Sequence, residues 1–127
     1  MGADAADFDQ DGWEDLFVTN IDQEMYSLYR NNKNETFSDI AHRQGVAQAT
    51  RLMSGWGLKF FDYDNDGELD LILANAHPDD MIENYSENIK YKMPLQLFHN
   101  EGGKLKLLTP GEAGAGFGRP LSARGLA

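Results

Sequence analysis

Apolar positions along the chain come in short runs bounded by Asp, Asn, Gly or Pro: Gly57-Leu58-Lys59-Phe60-Phe61, Leu69-Asp70-Leu71-Ile72-Leu73, Leu95-Gln96-Leu97-Phe98 and Leu105-Lys106-Leu107-Leu108. Runs of this length and composition read as β-strands. The same order occurs earlier in Phe17-Val18, Tyr26 to Tyr29 and Phe37 to Ile40, with turn-forming stretches such as Asn31-Asn32-Lys33-Asn34 and Asn100-Glu101-Gly102-Gly103 between runs. No window sustains a strong 3.6-residue apolar period.

The pattern repeats. Residues 7 to 20 read DFDQDGWEDLFVTN and residues 62 to 75 read DYDNDGELDLILAN. Gly2 and Gly57 match before these segments, and Leu28-Tyr29-Arg30-Asn31 matches Leu97-Phe98-His99-Asn100 after them. At the C-terminus, Arg124-Gly125-Leu126-Ala127 looks like the strand that precedes the acidic motif, as if a third copy were beginning. Repeats of four short strands with one fixed acidic loop point to β-propeller blades, units that depend on neighbours to cover their faces. The expectation is an all-β fold of about two four-stranded blades, cut from a larger ring of seven or so, because two blades do not close. The division expected is 1–50 for an N-terminally truncated first blade, 51–117 for a second blade with a long loop at 76–94, and 118–127 for the start of a third.

Each copy carries Asp-x-Asp-x-Asp-Gly-x-x-Asp, with carboxylates at Asp7, Asp9, Asp11 and Asp15, then at Asp62, Asp64, Asp66 and Asp70. Alternating oxygens converge on one centre, and Gly12 and Gly67 permit the tight turn that folds the loop around an ion. The backbone carbonyls of Trp13 and Glu68, at the seventh position, are expected to add a ligand by analogy with other aspartate-rich loops. Four crowded carboxylates repel one another unless a cation intervenes. Hard cations that take six to eight oxygens fit best, which predicts two Ca2+ sites; Mg2+ demands a more compact octahedron, and neither loop contains the His or Cys that Zn2+ or copper would favour. The loops are not EF-hands, since position 12 is Val18 or Leu73 rather than Glu.

Charge narrows the partners. With 11 Lys+Arg against 21 Asp+Glu in 127 residues, the formal net charge is -10. Nucleic acid and anionic membrane surfaces are thereby disfavoured, because both are bound through basic residues. There is no cysteine, which excludes disulfides, thiolate metal sites and thiol nucleophiles. No apolar run reaches the roughly 18 residues of a membrane-spanning helix, and membrane insertion is not expected.

The chain resembles the FG-GAP (VCBS-type) repeats of integrin-α-like β-propellers, in particular those of bacterial proteins carrying ASPIC/UnbV domains and of the related cartilage acidic protein. The resemblance rests on Gly57 through Gly67, on Leu97 through Gly103, and on Gly118-Arg119-Pro120 leading to Arg124 through Ala127. It lacks a literal Phe-Gly-Gly-Ala-Pro segment and a separate ASPIC/UnbV domain. It implies that each acidic loop joins the first two strands of a blade and binds Ca2+. It also implies a non-catalytic role in binding, adhesion or scaffolding outside the cell or in the periplasm. The expected partners are neighbouring blades and a protein or carbohydrate ligand; the alternative is a propeller that scaffolds a larger enzyme.

Other motifs carry less. Ala76-His77-Pro78-Asp79-Asp80 resembles the metal-binding start of LmbE-like zinc deacetylases, but Met81-Ile82-Glu83-Asn84 replaces the acidic residue and glycine-rich turn of that family, so a polar loop is the expectation. His42 and His99 stand alone in sequence and are expected at the surface or a blade edge, without a role. Trp13, Trp56, Phe60, Phe61, Tyr63, Phe98 and Phe117 read most simply as packing between blades, with lining of a binding face as the alternative for some of them. Ser54 and Ser122 lack the context of a nucleophile, and Gly114-Ala115-Gly116-Phe117-Gly118 reads as a linker into another strand.

Overall fold

In the second repeat, Leu58 and Phe60 turn inward while Lys59 and Phe61 face outward, the period-2 alternation of a half-buried strand. The next run, Leu71-Ile72-Leu73-Ala74, is buried almost throughout because it lies in the middle of its sheet. The computed structural model, which describes residues 1–127, pairs these segments into antiparallel meanders. The first sheet comprises β1 (Ala3–Ala6), β2 (Asp15–Val18), β3 (Ser27–Asn31) and β4 (Phe37–Asp39). The second comprises β5 (Gly55–Phe61), β6 (Asp70–Asn75), β7 (Gln96–Asn100) and β8 (Leu105–Leu107). Strand order follows sequence order in both. The architecture is all-β, two propeller-type blades side by side.

The core lies between the blades. Phe8, Phe17, Tyr26 and Leu28 from the first repeat meet Leu58, Phe60, Leu71, Leu73 and Phe98 from the second. Phe17 presents its ring edge-on to Tyr26 and Phe60, with centroids 6.3 Å away in each case, and Phe8 stacks on Phe60 at 6.4 Å. Buried polar groups tie the same seam. The Tyr26 hydroxyl donates to Asn75 Oδ1 (2.7 Å), Thr19 Oγ1 to the Gly55 carbonyl (3.1 Å), and Asn100 Nδ2 to the Phe8 carbonyl (2.6 Å). A Cβ at Gly55 would come within 2.5 Å of the Thr19 side chain and 2.6 Å of the Tyr26 hydroxyl, so the seam requires glycine there.

Arg124–Ala127 joins no ladder; it lies across Gly57, where an added Cβ would be 2.8 Å from the Leu126 nitrogen, much as Gly2 lies against Trp56. The inner strands β1 and β5 likewise meet without ladder bonds, since neighbouring blades touch through side chains and close backbone approach. Two short helices form despite the absence of an apolar period: α1 (Val46–Thr50) and α2 (Pro110–Ala113). Each is about one turn, too short to leave a period. The first is held by burial of Val46, Ala47 and Thr50 and the second by a Thr109–Glu112 capping box. Gly114 leads into a 3₁₀ turn at Ala115–Gly118 and then a single bridge from Leu121 to Met93, not directly into a strand. The 76–94 loop has a small core of its own, Ile82, Ile89 and Met93. Trp13, Phe61 and Tyr63 are exposed, so the inter-blade packing assigned to them falls to Phe8, Phe17 and Tyr26 instead. No helix is long and apolar enough to cross a membrane.

Candidate functional site

Each acidic loop connects the first two strands of its blade, and the two are built alike. In loop 1 the Asp7 carboxylate accepts the amides of Asp11 (2.9 Å) and Gly12 (2.8 Å). In loop 2 the Asp62 carboxylate accepts those of Asp66 (3.1 Å) and Gly67 (2.9 Å). The amides of Trp13 and Glu68 close the turns onto Asp11 Oδ1 (3.0 Å) and Asp66 Oδ1 (2.8 Å). Gly12 and Gly67 sit at φ 90° and 89°, the left-handed region that glycine alone enters freely. Gln10 and Asn65, at φ 57° and 61°, are left-handed as well. The two loops also touch, Gln10 Nε2 donating to the Gly67 carbonyl at 2.8 Å.

This winding brings carboxylates together. Asp7, Asp9 and Asp15 place one oxygen each within 4.8 Å of one another, as do Asp62, Asp64 and Asp70. The separation suits oxygens sharing one cation at bond lengths of about 2.3–2.6 Å. Asp15 and Asp70 are fully buried at the starts of β2 and β6, where Asp15 Oδ1 accepts the Asn31 amide and Asp70 Oδ1 the Asn100 amide, both at 2.8 Å. Asp15 Oδ2 and Asp9 Oδ1 are buried without any hydrogen-bond partner. Native proteins rarely leave such atoms orphaned, and a divalent cation satisfies them, so the residues fit the group that the loop chemistry calls for. Asp11 stands apart from its trio, with Lys33 Nζ 3.2 Å and Arg30 Nη2 3.6 Å from its Oδ2.

The electrostatics match the crowding. Burial pushes the Asp15 carboxyl above its ordinary range; the Asn31 and Phe8 amides oppose this, and the charges of Asp9 and Asp11 add to it. Desolvation and the charge of Asp66 likewise push Asp64 up. Desolvation would also raise Asp11, but hydrogen bonding from Lys33 and the Trp13 amide, with the charges of Lys33 and Arg30, holds it low.

His99 corrects the sequence reading. It is no idle edge residue: β7 carries its Nδ1 to 3.0 Å from Asp70 Oδ1 and 3.8 Å from Asp64 Oδ2, and Asp64, Asp66 and His99 form a further group able to share an ion. Desolvation pulls the imidazole down, yet the Asp70 hydrogen bond and the charges of Asp70, Asp64 and Asp66 leave it raised. The signal was present in the repeat alignment, where His99 occupies the position of Arg30, which contacts Asp9 in loop 1 (Nε to Oδ2, 2.9 Å). A raised histidine contributes stability that is fully present below its unfolded value near 6.5 and is lost as pH rises through the higher folded value. Raised carboxyls act in the same sense at lower pH. In the presence of chelator, the melting temperature is therefore expected to rise as pH falls from 8 to 6, and His99→Gln should flatten that rise; a profile unchanged by the substitution would refute the assignment.

His77 joins no metal-holding group. Buried at 5% exposure, it places Nε2 3.0 Å from Asp22 Oδ1, and Ser54 Oγ donates to the same oxygen at 3.3 Å. Both side chains meet one carboxylate across the blade seam. Ser54 and His77 thereby join the two repeats through Asp22.

No curated protein matches the chain. A family model, the FG-GAP-like repeat, matches residues 7–73, from the first aspartate of loop 1 through loop 2 into β6. That span takes in both acidic loops and the seam between the blades, and the chain accordingly belongs to the FG-GAP-like repeat family.

Proposed function

We propose that the chain is a calcium-binding, non-catalytic propeller segment, serving binding, adhesion or scaffolding in an extracytoplasmic protein. The observation that carries this reading is the fully buried Asp15, whose Oδ2 lacks a partner inside the Asp7, Asp9 and Asp15 cluster. Asp62, Asp64 and Asp70 repeat the arrangement in the second blade. Oxygen-only clusters at these separations suit Ca2+. When bound, the cation supplies charge neutralisation and fixes the loop. The chain's own residues do the rest: Asp7 and Asp62 wind the turns, and Asp15 and Asp70 anchor them to the sheets. Neighbouring blades are the natural partners of the segment's open faces, and a protein or carbohydrate ligand would bind over loops such as 76–94.

Calorimetric titration of the calcium-stripped chain should show two sites per chain. Asp64→Asn or Asp66→Asn should remove or severely weaken one and spare the other. A two-site isotherm unaltered by either substitution would sink the ligand assignment, and an absence of binding would sink the reading itself.

A further inference from the structure

The two loops share their aspartates but not their cationic neighbours. At one position of the third strand, blade 1 carries Arg30 and blade 2 carries His99. Arg30 places Nε 2.9 Å from Asp9 Oδ2 and Nη2 3.6 Å from Asp11 Oδ2, and Lys33 adds a second positive charge 3.2 Å from the same Asp11 oxygen. A guanidinium or ammonium has no lone pair to offer a metal; it occupies carboxylate oxygens and repels an incoming cation. Arg30 is also half-exposed and borders two clefts of about 300 and 260 Å³. It therefore has space to withdraw when a cation enters.

Blade 2 has no counterpart of this guard. The corresponding side chain is an imidazole whose nitrogen shares a 4.8 Å cluster with oxygens of Asp64 and Asp66. Its ring is oriented by two contacts. The wholly buried Asp70 carboxylate holds Nδ1 at 3.0 Å, the same nitrogen that stands 3.8 Å from Asp64 Oδ2, so an entering metal takes the place of the shared proton, and Tyr63 packs edge-on at 5.8 Å. Imidazole with carboxylates is a donor set that accepts zinc and related first-row metals, which an oxygen-only set holds less well.

We propose that the residue at this strand position selects the cation: Arg30 restricts loop 1 to hard, oxygen-seeking ions, whereas His99 makes loop 2 a mixed nitrogen and oxygen site that also takes borderline divalent metals of the Zn2+ class. The proposal rests on the metal-site reading above and adds a difference between the two loops.

The test is calorimetric titration of the full 127-residue chain with Zn2+ alone and with Ca2+ alone, on wild type and on four variants. Circular dichroism checks that each variant keeps its fold. Wild type should take one Zn2+ per chain at loop 2. His99→Gln and His99→Arg should each weaken Zn2+ binding by about tenfold or more while leaving the loop 1 Ca2+ site intact. Arg30→His should create a second Zn2+ site, a gain that damage to the fold would not produce. His42→Gln, at an exposed histidine that belongs to none of the carboxylate clusters, should change nothing. Zn2+ binding undiminished in both His99 variants, or Ca2+ binding at two sites with none for Zn2+, would overturn the selector and leave the calcium reading standing. Failure of both cations to bind would overturn the selector and the calcium reading together.

Discussion

Stripping divalent cations from the folded chain is expected to lower its melting temperature by about 10 °C or more. The expectation begins with the orphaned oxygens of Asp15 and Asp9 and with the raised Asp15 and Asp64 carboxyls, all marks of loops that hold uncompensated negative charge. A ligand that binds only the folded state adds stability by mass action, about 2.7 kcal/mol for one site at a hundred times its Kd. In a domain of this size each kcal/mol moves the melting temperature by roughly 4 °C, so even one saturated loop is readily measured. Scanning calorimetry with Ca2+ held at about a hundred times the Kd found by titration, and then with excess chelator, makes the comparison. Because the loops begin β2 and β6, the cation-loaded chain should also show slower amide exchange in those strands. Equal melting temperatures in both conditions would mean that the carboxylates are tolerated without a cation.

Phe17→Ala should be the most damaging single core substitution. Phe17 is wholly buried, lies on the central strand β2, and meets both Tyr26 of its own blade and Phe60 of the next. Removing a buried phenylalanine costs about 3–5 kcal/mol, the lost transfer energy plus the cavity, against a total stability of about 5–15 kcal/mol for domains in general. The cost should be shared by both sheets, since the vacated space lies on their seam. Hydrogen exchange is the discriminating measurement: protection should fall in β6 and β7 as well as in β2 and β3. A loss confined to the first sheet, or below about 1 kcal/mol, would show that the blades are stabilised separately.

Much of this molecule was legible in the order of its residues. The repeat exposed two equivalent loops, and the alternation in Leu58-Lys59-Phe60-Phe61 placed β5 because side-chain direction in a strand depends only on parity. The spacing of Asp7, Asp9, Asp11 and Asp15 implied convergent oxygens, since a glycine turn and alternating positions are local properties of the chain. Strand β1 was harder to see, because Ala3-Asp4-Ala5-Ala6 has none of the branched or aromatic residues that mark strands; it forms through pairing with Asp15–Val18. The remaining features required three dimensions. That Phe8, Phe17 and Tyr26 fill the seam while Trp13 and Tyr63 face solvent depends on how two sheets meet, and residue type does not separate the two groups, since a tyrosine stands in each. Asp22, Ser54 and His77 are far apart along the chain and become a tie only where the blades touch. His99 is the sharpest case. Within the loops no nitrogen ligand exists, and only the pairing of β6 with β7, with Leu71 opposite Phe98, carries the imidazole to Asp70 and Asp64. Local patterns therefore determined the loops and the strands. The surroundings of each loop, cationic in the first blade and imidazole-bearing in the second, were decided by tertiary structure, because charges act through space rather than along the chain.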